Sequence, residues 1–258
     1  MMNMKEKIDV YLDHNVMCDY FSRKEENIIN KVKLLKEKVA FPYSPAHLEE
    51  VANIKKSNLP SEEIMNLVTQ NINGIIDITG YYEYLPNEKI ISKLEDPMLC
   101  FYRVIKDYDK TTTYAEFLHE KLFQERFGVK DDYIIANIGN LNPYDLFENV
   151  NVKRALLVFC KNDSSEIVKL KEHNYLCEKL TYSIDNLVCF LELIGFYSDR
   201  LNQYRSNLHD ISHLIYASKA DYFVSGDKKT RCKAKAVYSF LNIETKVIDK
   251  DEFINLEI

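Results

Sequence analysis

The chain has 258 residues, of which 46% are apolar and 29% charged, and its net charge is −6. That balance suits a folded protein with a sizeable core and is far from the composition of a disordered or uniformly basic nucleic-acid-coating chain. Six Gly and six Pro argue against long flexible linkers, the opening MMNMKEK is polar with no apolar signal region behind it, and no apolar run approaches the roughly 18 residues that span a bilayer. The chain therefore reads as cytosolic, with no membrane partner. Its six cysteines (18, 100, 160, 177, 189, 232) include no CxxC, so reduced and mostly buried thiols are expected rather than disulfides or a Cys/His zinc site.

In chain order, IDVYL (8–12) is short, apolar and β-rich, which predicts a first strand. Asp13, His14 and Asn15 form the turn after it, and VMCDYF begins a helix. IINKVKLLKEK carries apolar residues at 28, 29, 32, 34 and 35, close to helical spacing. VAFPYS (39–44) reads as a second strand. Ser44-Pro45 then opens a helix, with Ser as cap and Pro at the first helical position. SEEIMNLVTQNI (61–72) predicts another helix. In GIIDITGYYEYLPN (74–87) a part reads as strand, with Gly74 and Gly80 as punctuation.

From about 88 to 205 the pattern is mainly helical: TYAEFLHEKLFQERFG, PYDLFENV, KRALLVFCKN, SSEIVKLKEHNYLCEKL and SIDNLVCFLELIGFY. Two of these segments end near Gly128 and Gly195. The last part alternates again. LHDISHLIYASKA is a helix, DYFVS a strand, KKTRCKAKAVYSFLN a helix and TKVID (245–249) a terminal strand. This order predicts an α/β fold in which residues 1–87 and 200–258 form one domain. The helical region 88–199 is inserted into it or draped over it.

Four acidic sites fall at places where such a fold gathers ligands, since open parallel sheets bind at the carboxyl ends of their strands. Asp13 follows the first strand, and Asn15 two residues on can hold a water or a carboxylate. In SPAHLEEV, His47 and Glu50 are three apart and share a helix face, while Glu49 points elsewhere; either Glu suits a ligand role, and Glu50 is favoured. In HDISHLIYA, Asp210, His213, Leu214 and Ala217 form an i, i+3, i+4, i+7 stripe facing the sheet. A buried Asp there is costly unless it is paired or binds a metal. His209 and His213, four apart, can clamp a metal, although packing or hydrogen bonding is the commoner use of such a pair. In YFVSGDKKT, Asp227 follows a strand and Gly226, Ser225 can bond an acid or a water, and Lys228, Lys229 and Thr230 lie where a phosphate can be held. Lys228, Lys229, Arg231, Lys233 and Lys235 make a local basic strip in an acidic chain. Each feature also has a plainer reading: a turn cap at Asp13, an acidic helix start at Glu49 and Glu50, a helix N-cap at Asp227, a solvated helix face in the basic strip.

Taken together and in this order, VYLDHN, SPAHLEEV, HDISHLIYA and YFVSGDKK resemble the PIN-domain nucleases, over roughly residues 7–55 and 205–250. The resemblance implies a three-layer α/β/α PIN-like fold with a central, mostly parallel sheet, here enlarged by a helical insertion. It implies a metal-dependent endoribonuclease that hydrolyses phosphodiester bonds, usually of single-stranded RNA, with DNA left open. Asp13, Glu50, Asp210 and Asp227 would hold one or two Mg²⁺ or Mn²⁺ ions. Asn15, Ser225, Lys228, Lys229, Thr230 and Arg231 would line the substrate side. The family motif often has Thr where this chain has Ser225. A toxin or phage-defence role, with the middle region binding an inhibitor protein or a second copy of the chain, is a further expectation. Three alternatives are weighed: a PIN-like binding or regulatory protein with an inactive site, an HD-type phosphohydrolase prompted by His209-Asp210, and a haloacid-dehalogenase-like phosphatase. The last needs DxD after the first strand, and position 15 is Asn.

Overall fold

The computed structural model describes residues 7–54, 57–106, 135–198 and 204–258. The elements are β1 (Ile8–Leu12), α1 (His14–Phe21), α2 (Glu26–Leu35), β2 (Val39–Ala40), α3 (Pro45–Asn53), α4 (Ser61–Thr79), β3 (Tyr82–Leu85) and β4 (Ile91–Leu94). Residues 97–106 are helical. After a 3₁₀ stretch at Pro143–Glu148 come α5 (Val150–Phe159), α6 (Ser164–Lys171), α7 (Cys177–Leu193), α8 (Tyr204–Ala217), β5 (Tyr222–Val224), α9 (Lys228–Leu241), β6 (Lys246–Ile248) and α10 (Lys250–Ile254).

Four strands form one parallel sheet in the order β2-β1-β5-β6. Val10, Tyr11 and Leu12 stand opposite Tyr222, Phe223 and Val224, and those three stand opposite Lys246, Val247 and Ile248. Every strand therefore ends at the same edge. The chain leaves β1 toward β2 on one side, while β5 lies on the other, so the strand order reverses between β1 and β5. Such a reversal opens a crevice at the carboxyl ends of the two strands.

Side chains alternate across the strands, and both faces are buried, as parallel sheets require. Tyr11, Phe223 and Val247 pack into one core with Leu187 and Phe190 of α7, Leu214 and Ala217 of α8, and Val237 and Tyr238 of α9. Val10, Leu12 and Val224 pack into another with Val16 and Met17 of α1, Val32 of α2, Leu48 and Val51 of α3, and Ile72 and Ile75 of α4. Much of the helical middle thus supplies one covering layer: Leu146, Val152 and Leu156 share a core with sheet residues.

Several sequence expectations change in detail. Gly74 does not interrupt the chain; α4 runs through it to Thr79 and ends at Gly80, whose φ of 57° is the left-handed helix end that glycine tolerates. Gly74 serves close approach instead, because a Cβ there would lie 2.3 Å from the Phe21 ring. The strand in this region is only Tyr82–Leu85, and it pairs antiparallel with Ile91–Leu94, a strand inside the stretch expected to be helical. That hairpin docks beside β2: Tyr43 N–H donates to the Tyr82 carbonyl at 2.9 Å, and Tyr84 N–H to the Tyr43 carbonyl at 2.7 Å. PYDLFENV gives the 3₁₀ stretch followed by the start of α5 rather than one α-helix. TYAEFLHEKLFQERFG lies outside the described residues. Cys100 and Cys160 are buried and the other four thiols half-buried, all free.

Candidate metal centre

The site begins with the first turn. Asp13 N–H continues the sheet ladder, donating to the Val224 carbonyl at 2.9 Å, so the carboxylate is fixed at the mouth of the crevice. The residue is 4% exposed. Ser225, at the end of β5, donates its hydroxyl to Asp13 Oδ2 at 2.7 Å. These two residues are 212 positions apart in sequence and are joined only because β1 and β5 are neighbours.

Glu50 arrives from α3. Ser44 and Pro45 start this helix as expected, and His47 closes its first turn: Nδ1 accepts from Ser44 N–H at 3.1 Å, while Nε2–H donates to the Leu12 carbonyl at 2.8 Å. That carbonyl bond fixes the His47 tautomer and ties α3 to the end of β1. Burial pushes the His47 pKa well below its usual value, so the ring stays neutral. One turn on, Glu50 Oε1 meets His213 Nε2 at 2.7 Å. Glu49 does point elsewhere; its carboxylate lies 3.6 Å from His209 Nδ1.

His213 comes from the apolar stripe of α8 and is 1% exposed. Its Nδ1 is 2.9 Å from the Tyr11 hydroxyl, which in turn is 2.6 Å from Ser44 Oγ. His213 Nε2 is also 3.9 Å from Asp13 Oδ1. One ligand atom each from Asp13, Glu50 and His213 can therefore be found within 4.8 Å of one another. The sequence stripe points at the right face of α8, but it favours Asp210 as the ligand and leaves a metal role for His213 as the less common use of a helical His pair; the converging group contains His213.

Asp210, one turn before His213, is half-buried and feels the charges of Asp13, Asp227, His213 and Lys233. Burial, reinforced by Asp13, raises its pKa to about 7. Asp227 stands at the rim and is exposed. One of its oxygens caps α9, accepting from Lys229 N–H at 2.6 Å and Thr230 N–H at 3.3 Å. The capping role and the field at Asp210 coexist.

The substrate-side residues divide. Asn15 is exposed on α1, and Lys228 is exposed with its ammonium 5.8 Å from the Tyr197 ring centre. Lys229 Nζ donates to the Ser198 carbonyl at 3.2 Å. Arg231 Nη1 donates to the Ser225 carbonyl at 2.9 Å, which braces the loop carrying Asp227. Ser225 and Thr230 are buried, at 0% and 1% exposure, so neither hydroxyl lies on the solvent side; Ser225 acts through Asp13 instead. The basic strip is not one exposed face either. Lys233 is 2% exposed and paired with Glu192 of α7, because α9 turns that position toward the core.

The site carries a cation in its own side chains. Burial disfavours the His213 imidazolium, but the bond to Glu50 and the charges of Asp13 and Glu50 outweigh it and raise the pKa to about 9. Burial also works against the Glu50 carboxylate, yet the neighbouring His14 and His213 bring its pKa down to about 2. Burial and Glu50 raise Asp13, with His213 opposing. The donor set of two carboxylates and an imidazole, with the half-buried Asp210 carboxyl beside it, fits a divalent cation.

These shifts set a pH dependence. His213 moves up from 6.5, so its contribution to stability is complete below pH 6.5 and is lost as the pH rises through 9. Glu50 moves down from 4.5, so its contribution is present above 4.5 and is lost as the pH falls toward 2. Asp210 moves up from 3.8 and costs stability once the pH passes that value, increasingly up to 7. In EDTA the thermal midpoint is expected to be highest between about pH 4.5 and 6.5 and to fall from there to pH 9. Asp210→Asn should flatten the part of that fall below pH 7. A midpoint that climbs steadily from pH 5 to pH 9 contradicts the assignment.

Two cavities lie elsewhere. One of about 620 Å³ opens at the opposite edge of the sheet among Ile8, Asp221, Tyr222 and Lys246. Another, of about 820 Å³, lies beside β2 among Val39, Phe41 and Tyr82. Neither includes a residue of the acidic cluster, whose claim rests on its converging ligand atoms rather than on volume.

No family model, no curated protein and no solved structure gives a significant match to this chain. Its chemistry has to be read from these residues. Among the described residues, no helix is long and apolar enough to cross a membrane.

Proposed function

We propose that the chain is a metal-dependent phosphodiesterase of PIN-like architecture, acting on single-stranded RNA with Mg²⁺ or Mn²⁺. The observation that carries the reading is the convergence of Asp13 and Glu50 with Asp210 close by, at the carboxyl edge where the sheet order reverses. Acids gathered this way repel one another unless a cation joins them. The motif order of the PIN-domain nucleases adds the substrate class. Asp13 and Glu50 would hold the ion, with Asp210 and Asp227 completing its surroundings.

When bound, the ion would polarise a phosphoryl oxygen and make water a better nucleophile. Ser225 holds Asp13 in register for that role. Asp210, a carboxyl beside Asp13, would be placed to take a proton from the attacking water. Lys228 and Lys229 would guide the phosphate backbone along the rim. No covalent enzyme intermediate is required.

A second reading has its own observation. His213, protonated and 2.7 Å from Glu50, can neutralise the acids without a metal, as in a PIN-like RNA-binding or regulatory protein with no catalytic ion. The two readings separate in one assay. Purified protein is incubated with labelled single-stranded RNA in Mn²⁺, Mg²⁺ or EDTA. Cleavage that requires the ion supports the hydrolase, whereas binding without cleavage under every condition supports the second reading.

A further inference from the structure

We propose that His213 is itself a metal ligand, so that Asp13, Glu50 and His213 form a mixed oxygen–nitrogen site that takes a first-row transition ion such as Mn²⁺ in preference to Mg²⁺. The inference deepens the hydrolase reading, because it concerns the same pocket, but it is decided by binding alone.

The donor chemistry is the first argument. Carboxylates alone suit Mg²⁺, which dehydrates reluctantly and favours hard oxygen ligands. An imidazole nitrogen raises affinity for transition ions relative to Mg²⁺. His213 offers Nε2 to the same space as Asp13 Oδ1 and Glu50 Oε1, at 3.9 and 2.7 Å. A proton now bridges Nε2 and Glu50. Coordination would exchange that proton for the ion and leave both carboxylates in place.

The ring's other side is the second argument. A metal-bound histidine is normally oriented by a partner on its remaining nitrogen. His213 Nδ1 has one in the Tyr11 hydroxyl at 2.9 Å, and Tyr11 is held in turn by Ser44 Oγ at 2.6 Å. All three residues are at most 1% exposed. With Nε2 on the ion, Nδ1–H donates to Tyr11, which donates to Ser44. The ring then needs no rearrangement to serve as a ligand.

His14 supplies an independent sign that the pocket is built for something further. It is buried, near enough to Glu50, His213 and Asp13 to feel their charges, and its Nδ1 has no hydrogen-bond partner. Buried polar atoms usually find a partner, and the charges His14 feels place its ring near the proposed ligands. His14 lies outside the group that converges within 4.8 Å, so it is a neighbour of the ion rather than part of the proposed set.

The experiment uses the full chain with Mn²⁺ as the probe. Pulsed electron paramagnetic resonance of the Mn²⁺ complex reads ligand nitrogen directly, and titration calorimetry gives the Mn²⁺ and Mg²⁺ affinities. The wild type is expected to show nitrogen modulation and to bind Mn²⁺ at least about tenfold more tightly than Mg²⁺. His213→Gln, which can still hydrogen-bond Glu50, is expected to lose the modulation and most of the preference. Tyr11→Phe is expected to keep the modulation with Mn²⁺ binding weakened by about tenfold or more. Wild-type Mn²⁺ spectra without nitrogen modulation overturn the proposal, and this needs no variant to fold. Modulation that survives His213→Gln but vanishes in His14→Gln overturns it in favour of the neighbour. Ion-dependent RNA cleavage by a wild type whose Mn²⁺ spectrum lacks nitrogen modulation would leave the hydrolase standing and this inference refuted. Nitrogen-ligated Mn²⁺ without cleavage would do the reverse.

Discussion

Asp13→Asn is expected to eliminate ion-dependent RNA cleavage while leaving a folded protein. Asn keeps the volume of a residue that is 4% exposed, and its carbonyl oxygen can still accept the Ser225 hydroxyl bond of 2.7 Å. What it loses is the charge that would bind the ion. A bound ion contributes several kcal/mol of transition-state stabilisation, so the rate should fall about a thousandfold or more. In EDTA the thermal midpoint should hold or rise, because Glu50 and Asp210 lose a repelling neighbour in a buried space. The rise that Mn²⁺ produces in the wild type should disappear. A variant that still cleaves within about tenfold of the wild type would place the chemistry elsewhere.

The second large effect concerns stability. Lys233→Met should cost about 3–5 kcal/mol in urea unfolding, because it removes the buried cation paired with the Glu192 carboxylate. Asp210 would also lose a cation that now restrains its pKa. Replacing Glu192 by Leu in the same protein should recover most of the loss, since a buried ion pair can be exchanged for apolar packing with little penalty. Lys228→Ala/Lys229→Ala, only a few positions away, should leave stability within about 0.5 kcal/mol. That double variant should weaken RNA binding and make its salt dependence shallower. Equal stability losses from the two replacements would mean that Lys233 is not held as a buried partner.

This contrast marks where the sequence could be read and where it could not. Strands such as IDVYL and TKVID are legible because each is short, β-rich and bounded by turn residues. Ser44-Pro45 is legible because capping is a local property. Glu50 could be favoured over Glu49 because helical spacing aligns it with His47. His213 is visible as part of a stripe and as one of two His that can clamp a metal, but the stripe does not decide between ligand and packing. Whether a buried imidazole packs or ligates depends on what the facing helix brings, and Glu50 is 163 positions away. Lys233 was hidden for the same reason, since its partner lies on α7 and no local rule distinguishes it from its exposed neighbours. Of the β3–β4 hairpin only the first strand is legible; ISKL is short and mostly exposed, and its pairing with β3 makes it a strand.

The strand order has a consequence for how the protein is made. β1 leaves the ribosome long before its central partner, which ends at Val224. Until that residue has been synthesised and has docked, Ser225 cannot brace Asp13, and β1 lacks one of its two neighbours in the sheet. Contacts this distant in sequence form late and slowly. The pocket around Asp13 is therefore assembled late in synthesis, after the 212 positions that separate it from Ser225 have been spanned.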